Sequence, residues 1–201
     1  MMPQTPVDAI ILAAGLSSRM ERPKPLLEIG SETFIERAVR VLKEGGCRHV
    51  VAVLNGQDAE VGRLAEGAGA EVAVNQDAAS EQLESVRCGL RALPADWAAV
   101  AVLPVDVPLV SAQTVALLVA AVREQPAPVL LPFHNGVAGH PVVLARATAT
   151  ELLERDWEEG MRSLIMSHAR DLREVRVTDP GILIDVDTPE DYWRYIKDRI
   201  R

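Results

Sequence analysis

The sequence is short of cysteine, of positive charge and of long apolar runs, and each shortage excludes a class of protein. Its two cysteines, Cys47 and Cys88, are not in a Cys-x-x-Cys pair, which rules out a disulfide framework and a thiolate zinc motif; both read as small buried apolar residues. Lysine and arginine number 21 against 29 aspartates and glutamates, a formal net charge of -8. A surface that holds a nucleic-acid backbone carries a basic patch or stripe, so no nucleic-acid partner is expected. No apolar run approaches the roughly 20 residues needed to span a bilayer, and the first residues lack the basic start, apolar stretch and cleavage site of a secretory signal. The expectation is a cytoplasmic protein with no membrane partner. The four histidines include no pair at metal-ligand spacing; His49 reads as a strand-edge residue and His168 as a helix-surface one.

What remains is an ordinary folding composition, 48% hydrophobic and 25% charged over 201 residues, long enough for one domain with a proper core. Apolar runs at 7–13, 49–54, 70–74, 99–104, 128–132, 141–144 and 173–178 read as strands, and most are continuous, as buried parallel strands are. Helix-period segments separate them at 31–45, 57–67, 80–93, 111–124, 146–155, 159–170 and 189–199. Ser31 is placed to cap the first of these and Gly45-Gly46 to stop it; Ser111 opens another, and Thr188-Pro189-Glu190-Asp191 opens the last. This alternation predicts a mainly parallel sheet with helices on both faces. The segment 128–144, edged by prolines and glycines, reads as a hairpin or excursion that separates two halves of the chain. The acids Glu151, Glu154, Asp156, Glu158 and Glu159 read as a solvated helix face.

The first strand runs into Leu12, Ala13, Ala14, Gly15, Ser17 and Ser18, followed by Arg19 and Lys24. Such a loop has little side-chain bulk, so its backbone N–H groups can face a phosphate chain that the two cations neutralise; Gly15 equally suits a tight βα turn. The loop lacks the Gly-Lys-Ser/Thr of a Walker A motif and the spaced glycines of the dinucleotide fingerprint, which removes both of those families. With an overall negative field, an anionic nucleotide needs local cations or a bound divalent ion.

Acids at the carboxyl ends of strands are the candidates for holding that ion. Asp106 follows the run 99–104 between Pro104 and Pro108, and Asp185 and Asp187 close the segment ILIDVDTPEDY. Asp106 can also brace its loop, and Asp187 can cap the final helix. Asp106 with Asp187 matches the sparse carboxylate set that Mg²⁺ prefers, with water and substrate phosphates completing its shell.

Four segments in order, LAAGLSSRMERPKPLL, LPVDVPLV, GVAGHPVVL and ILIDVDTPEDY, resemble the MobA-like nucleotidyltransferase superfamily, and within it the molybdenum cofactor cytidylyltransferases. The resemblance implies a Rossmann-like three-layer α/β sandwich and transfer of a nucleoside monophosphate from an NTP to a phosphorylated small acceptor, of the molybdopterin type, with Mg²⁺ and release of pyrophosphate. It implies a nucleotide-binding half at about 1–110, an acceptor-binding half at about 111–201, and a molybdoenzyme or its maturation chaperone as protein partner. Carried over by position, Leu12, Ala13, Ala14, Gly15 and Ser17 match the nucleotide loop, with Asn75 and Ser85 toward base or ribose. Arg19 and Lys24 match the phosphate-binding cations, Asp106 the metal-binding acid, Asp187 the second acid, and His140 an acceptor-facing turn. A histidine beside proline also serves simply to brace a loop.

Two departures bear on the substrate. Glu21 stands where the family has glycine, and Ser80-Glu81-Gln82-Leu83-Glu84-Ser85 replaces a Gly-Ser-Ser stretch. Ala13-Ala14-Gly15 resembles the cytidylyltransferase form of the loop, which favours CTP. A nucleotidyltransferase for sugar phosphates or other small phosphates stays open, as does a non-catalytic nucleotide or cofactor carrier.

Overall fold

Six residues, Val7–Leu12, are wholly buried as β1, and the sheet grows outward from them. The computed structural model describes residues 5–15, 20, 22–56, 59–76 and 82–197. After β1 come a two-residue hairpin, β2 (Glu28–Ile29) and β3 (Glu32–Thr33), then α1 (Phe34–Glu44), β4 (Val50–Asn55), α2 (Ala59–Gly67), β5 (Glu71–Asn75), α3 (Gln82–Ala92) and β6 (Ala99–Pro104). The remainder is α4 (Ala112–Glu124), β7 (Val129–His134), β8 (Val137–Ala138), β9 (Val142–Ala145), α5 (Arg146–Glu154), α6 (Met161–Ser167), β10 (Arg173–Arg176) and α7 (Pro189–Tyr192).

The strands stand in the order β10-β7-β9-β6-β1-β4-β5, with β8 paired to β7. β1 is parallel to β4 and β6, β4 to β5, and β7 to β10, whereas β9 runs antiparallel between β6 and β7. Side-chain alternation then builds three layers. Ala9 and Ile11, Ala52 and Leu54, and Ala101 and Leu103 join one core with Phe34 and Ile35 of α1, Val61 of α2 and Leu118 of α4. Ile10 and Leu12, Val51 and Val53, and Val100 and Val102 join a second core with Val86 of α3, Leu152 of α5 and Leu164 of α6. Helix α3 lies so close to β1 that a Cβ on Gly89 would come within 2.7 Å of Ile10.

All seven expected strands are present. The first helix starts later than expected: Ser31 belongs to the β2–β3 hairpin, and Thr33 is the cap, in a reciprocal capping box with Glu36. Gly45 closes that helix, and Gly46 leaves it at φ +94°. Ser111 caps α4 and Thr188 caps α7 with Asp191. The last helix is regular only over Pro189–Tyr192 and widens to a π-turn over Trp193–Lys197. The segment expected at 159–170 is helical only over Met161–Ser167, because Gly160 at φ 55° and ψ -133° starts it abruptly. Cys47 is buried and Cys88 half-buried. Within the acidic stretch, Glu151 meets His168 at 2.8 Å and is partnered, whereas Asp156 stays almost fully exposed while meeting Arg87 at 2.9 Å. His168 is correspondingly half-buried at the end of α6. No described helix is long and apolar enough to cross a membrane.

Candidate functional site

β1 and β6 are neighbours, with Leu12 opposite Pro104, so their continuations emerge side by side at the carboxyl edge of the sheet. The turn after β6 is pinned from both flanks: Val105 N–H donates to the Leu12 carbonyl at 3.1 Å, and Val186 N–H donates to the Asp106 carbonyl at 2.8 Å. Asp106 is thereby held beside the segment carrying Asp185 and Asp187.

Lys24 enters from a third direction. It opens a 3-10 turn over Lys24–Leu26 whose Pro25 and Leu26 are buried, which anchors the backbone and leaves the long side chain to reach back. Its Nζ donates to Asp106 Oδ2 at 2.9 Å and also to Asp187 Oδ1. Residues 82 and 163 positions apart thus meet at one ammonium. Burial opposes the Lys24 charge, but the hydrogen bonds to Asp187 and Asp106 outweigh it and hold its pKa above the ordinary lysine value. Asp185, open to solvent on one side, has its carboxyl pushed upward by partial burial and then by the charges of Asp106 and Asp187. Two carboxylates therefore share one ammonium, with Asp185 in their field.

A fourth element closes the group. Gly139 N–H donates to the Pro132 carbonyl at 2.9 Å and His140 N–H to the Ile182 carbonyl at 3.0 Å. A Cβ on Gly139 would stand 2.3 Å from the Ile182 oxygen, and one on Gly181 would stand 2.2 Å from the Leu109 oxygen. Both glycines are required by this close approach of backbones. The His140 Nδ1 is sealed from solvent and has no hydrogen-bond partner among the described residues; burial lowers the His140 pKa, against the opposing charge of Asp106.

The loop after β1 is described as far as Gly15. Leu12 and Ala13 are buried, Ala14 is half-buried and Gly15 is exposed. Ala13 N–H is committed to the Val53 carbonyl at 2.9 Å, so Ala13 keeps no backbone donor for a ligand. Gly15 has no left-handed φ, and a Cβ there would meet nothing described within 4 Å; neither turn strain nor local crowding accounts for it. Asn75, at the end of β5, donates to Ser85 Oγ of α3 at 3.1 Å, and both are buried. Ser17, Arg19, Glu21 and Glu81 lie outside the described residues.

The structure thus gathers Lys24, Asp106, Asp187 and Asp185 into direct or electrostatic contact, with His140 within the field of Asp106, and pairs Asn75 with Ser85. Sequence reasoning did not foresee the Lys24 bridge, for which no local pattern exists. It also missed Arg87, whose Nε donates to the Leu152 carbonyl at 2.5 Å and whose Nη2 donates to the Arg155 carbonyl at 2.8 Å and to Asp156 at 2.9 Å. Among the described residues, no three His, Cys, Asp or Glu side chains are grouped closely enough to encircle an ion by themselves.

Known proteins resemble this chain along most of its length. It is 26% identical over 187 residues to the molybdenum cofactor cytidylyltransferase of Escherichia coli strain K12, covering 92% of this chain and 93% of that protein. It is 34% identical over 146 residues to the bifunctional protein GlmU of Rhodococcus opacus strain B4, covering 68% of this chain but only 29% of GlmU. Among solved structures, Rv0371c from Mycobacterium tuberculosis H37Rv superposes with a TM-score of 0.84 at 25% identity, covering 96% of this chain and 99% of that one; a second structure of Rv0371c, a complex with manganese, gives 0.79. Residues 9–172 match the MobA-like NTP transferase domain. The chain belongs to the MobA-like NTP transferase family, on a Rossmann-like α/β sandwich.

Proposed function

We propose that the chain transfers a nucleoside monophosphate from an NTP, with CTP favoured, to a phosphorylated small acceptor of the molybdopterin type, using Mg²⁺ and releasing pyrophosphate. The observation that carries this reading is the meeting of Lys24, Asp106 and Asp187 beside the Ala14-Gly15 loop. Among the described residues Asp106 and Asp187 flank the Lys24 ammonium with Asp185 in their field, and that set of carboxylates suits a hard divalent cation whose remaining ligands are phosphate oxygens and water. Asp106 and Asp187 would hold the ion, which supplies charge neutralisation on the polyphosphate. The manganese complex of Rv0371c supports a divalent ion in this fold.

An acceptor phosphate oxygen is already anionic, so the chain needs no strong general base; its work is to hold two anions together. Ala14 and Gly15 offer backbone N–H groups to the polyphosphate, with Leu12 and Ala13 fixing the strand end behind them. Lys24, kept protonated by its two carboxylates, brings a point charge to the departing pyrophosphate, and Arg19 and Ser17 complete that grip. Asn75 and Ser85 face the base or ribose, and His140 faces the acceptor. In this reading residues 1–110 serve the nucleotide, residues 111–201 serve the acceptor, the protein works in the cytoplasm, and a molybdoenzyme or its chaperone receives the product. The cytidylyltransferase form of the loop and the Escherichia coli relative both favour CTP.

The same loop chemistry suits a second reading, a sugar-phosphate or other small-phosphate acceptor. Pyrophosphate release measured with each of the four NTPs against molybdopterin and sugar phosphates tests both. Turnover with CTP and molybdopterin is expected; no turnover with any pair, in folded protein, overturns the assignment.

A further inference from the structure

Arg37, in the first turn of α1, makes a bond that no sequence motif announces. Its Nε donates to the Pro108 carbonyl at 2.7 Å, across 71 positions of the chain, and Pro108 is buried. A carboxylate stands nearby, since Glu32 lies 3.9 Å from Arg37 Nη1. Glu32 is already engaged, because Arg40 Nε and Nη2 donate to its two oxygens at 2.6 and 2.9 Å. The short bond of Arg37 therefore goes to a peptide group, and a charged donor, stronger than a neutral one, is committed to a single carbonyl.

That carbonyl belongs to the turn that carries Asp106. Pro104 and Pro108 have no N–H to give, and the turn closes on itself through Val107 N–H and the Pro104 carbonyl at 3.2 Å. Its other ties run outward: Val105 to Leu12, Asp106 to Val186, and Pro108 to Arg37. The first two hold the turn up to Asp106; Arg37 holds it just beyond. Without that donor a buried carbonyl is left unpaired, which is costly, so the turn must shift toward water and carry Asp106 with it.

The same helix stands behind the other two charges of the site. Phe34 N–H donates to the Leu27 carbonyl at 2.8 Å, just past the turn that Lys24 opens. The Phe34 ring also packs against Tyr192 of α7, with centroids 6.2 Å apart, and the adjacent Asp191 accepts the Asp187 N–H at 3.2 Å. Helix α1 thus backs Lys24, Asp106 and Asp187 together, and Arg37 is its reach to Asp106.

We propose that Arg37 is a positioning residue for the reaction: through the Pro108 carbonyl it fixes the turn that aims Asp106 at the divalent ion and the reacting phosphates. This rests on the nucleotidyltransferase reading above and adds to it a residue that acts only through the backbone.

The test uses the full chain and three substitutions. Arg37→Met keeps the length and helix preference of the side chain but deletes the donor, and Arg37→Lys restores one charged donor. Lys43→Met is the control, since it removes a bond of the same kind, from Lys43 Nζ to the Gly69 carbonyl at 2.8 Å, near the other end of α1. Mn²⁺ affinity is read by electron paramagnetic resonance without nucleotide, turnover by pyrophosphate release in saturating Mg²⁺ with the best pair of the panel above, and stability by thermal melting. Arg37→Met should weaken Mn²⁺ about tenfold, as loss of a partner that orients a metal ligand does. It should also lower kcat about tenfold or more while KM for the nucleotide stays within about twofold. Arg37→Lys should bring kcat back to within about threefold of the unmodified chain, and Lys43→Met should change the melting temperature alone.

Arg37→Met that lowers the melting temperature but leaves Mn²⁺ affinity and kcat intact overturns the proposal. So does Arg37→Lys that is no better than Arg37→Met, or Lys43→Met that lowers kcat as far. No turnover in the unmodified chain, with Mn²⁺ still weakened in Arg37→Met, overturns the assigned reaction instead and leaves Arg37 as the support of Asp106. An unmodified chain that binds no Mn²⁺ overturns both.

Discussion

Two charged clusters sit at opposite ends of the same parallel strands, and they are balanced differently. At the amino end, Asp8 of β1 is completely buried, yet Arg48 Nε and Nη2 donate to its two oxygens at 3.0 and 2.9 Å, and His49 N–H adds a third bond at 3.1 Å. Asp96 takes the rest of the Arg48 guanidinium. Every charge there is answered within the chain. Among the described residues at the carboxyl end, Asp106, Asp185 and Asp187 outnumber Lys24, and a sealed nitrogen of His140 meets no hydrogen-bond partner. A satisfied buried cluster fixes the fold; charges gathered at the carboxyl ends of strands lie where open α/β sheets bind ligands.

The comparison breaks most sharply through turnover. Asp106→Asn should lower pyrophosphate release by about 100-fold or more, as removal of an electrostatic anchor of the reacting phosphates does, while retaining measurable CTP affinity by equilibrium dialysis. An unchanged rate would remove Asp106 from the metal and the chemistry. Gly139→Ala comes next: the clash with the Ile182 carbonyl must displace either the His140 turn or the 180–183 turn, so both activity and melting temperature should fall, the activity by roughly tenfold if the shift approaches 1 Å.

Asp8→Ala probes the other end. It strands the Arg48 guanidinium and the His49 amide, and the melting temperature should drop by about 4–8 °C, while the rate per folded molecule stays constant. A loss of rate without a loss of stability would erase the distinction between the ends. Millimolar Mg²⁺ or Mn²⁺ should raise the melting temperature of the unmodified chain by a few degrees through preferential binding to the folded state, and the increment should vanish in Asp106→Asn combined with Asp187→Asn.

The smallest effect is in pH. Burial depresses the His140 pKa below 6.5, so as pH falls the unfolded chain takes up this proton first. The stability linked to neutral His140 is full above about pH 6.5 and is lost as pH drops through the lower folded value. Urea midpoints measured between pH 7 and 5 should slope less steeply in His140→Ala than in the unmodified chain.

Much of this architecture was legible because it is local. Continuous apolar runs such as Ala99–Leu103 announce buried strands, and Ser111 and Thr188 announce helix starts, since a cap needs only its next three residues. The Thr33–Glu36 capping box was equally present in the sequence, and Ser31 was preferred only because the two-residue strands around Gly30 leave no periodic signal. Site residues at strand ends were legible by type and place. Their partnerships were not: the Lys24 contacts span 82 and 163 positions and the Arg87 clamp about 65 to 69, and side-chain patterning carries no information at such separations.

The reversed direction of β9 has a consequence for how this rim can change. Parallel strands present only their exits at the carboxyl edge, but β9 presents its entry, so His140 arrives there from the hairpin that follows β7, with Asn135 and Gly136 in left-handed conformations at its tip. Because Gly139 and His140 are tethered just before the strand begins, a change in the length of that tip need not move the nucleotide side. Diversity in what is recognised can accumulate on one lip of the crevice while the chemistry on the opposite lip is left alone.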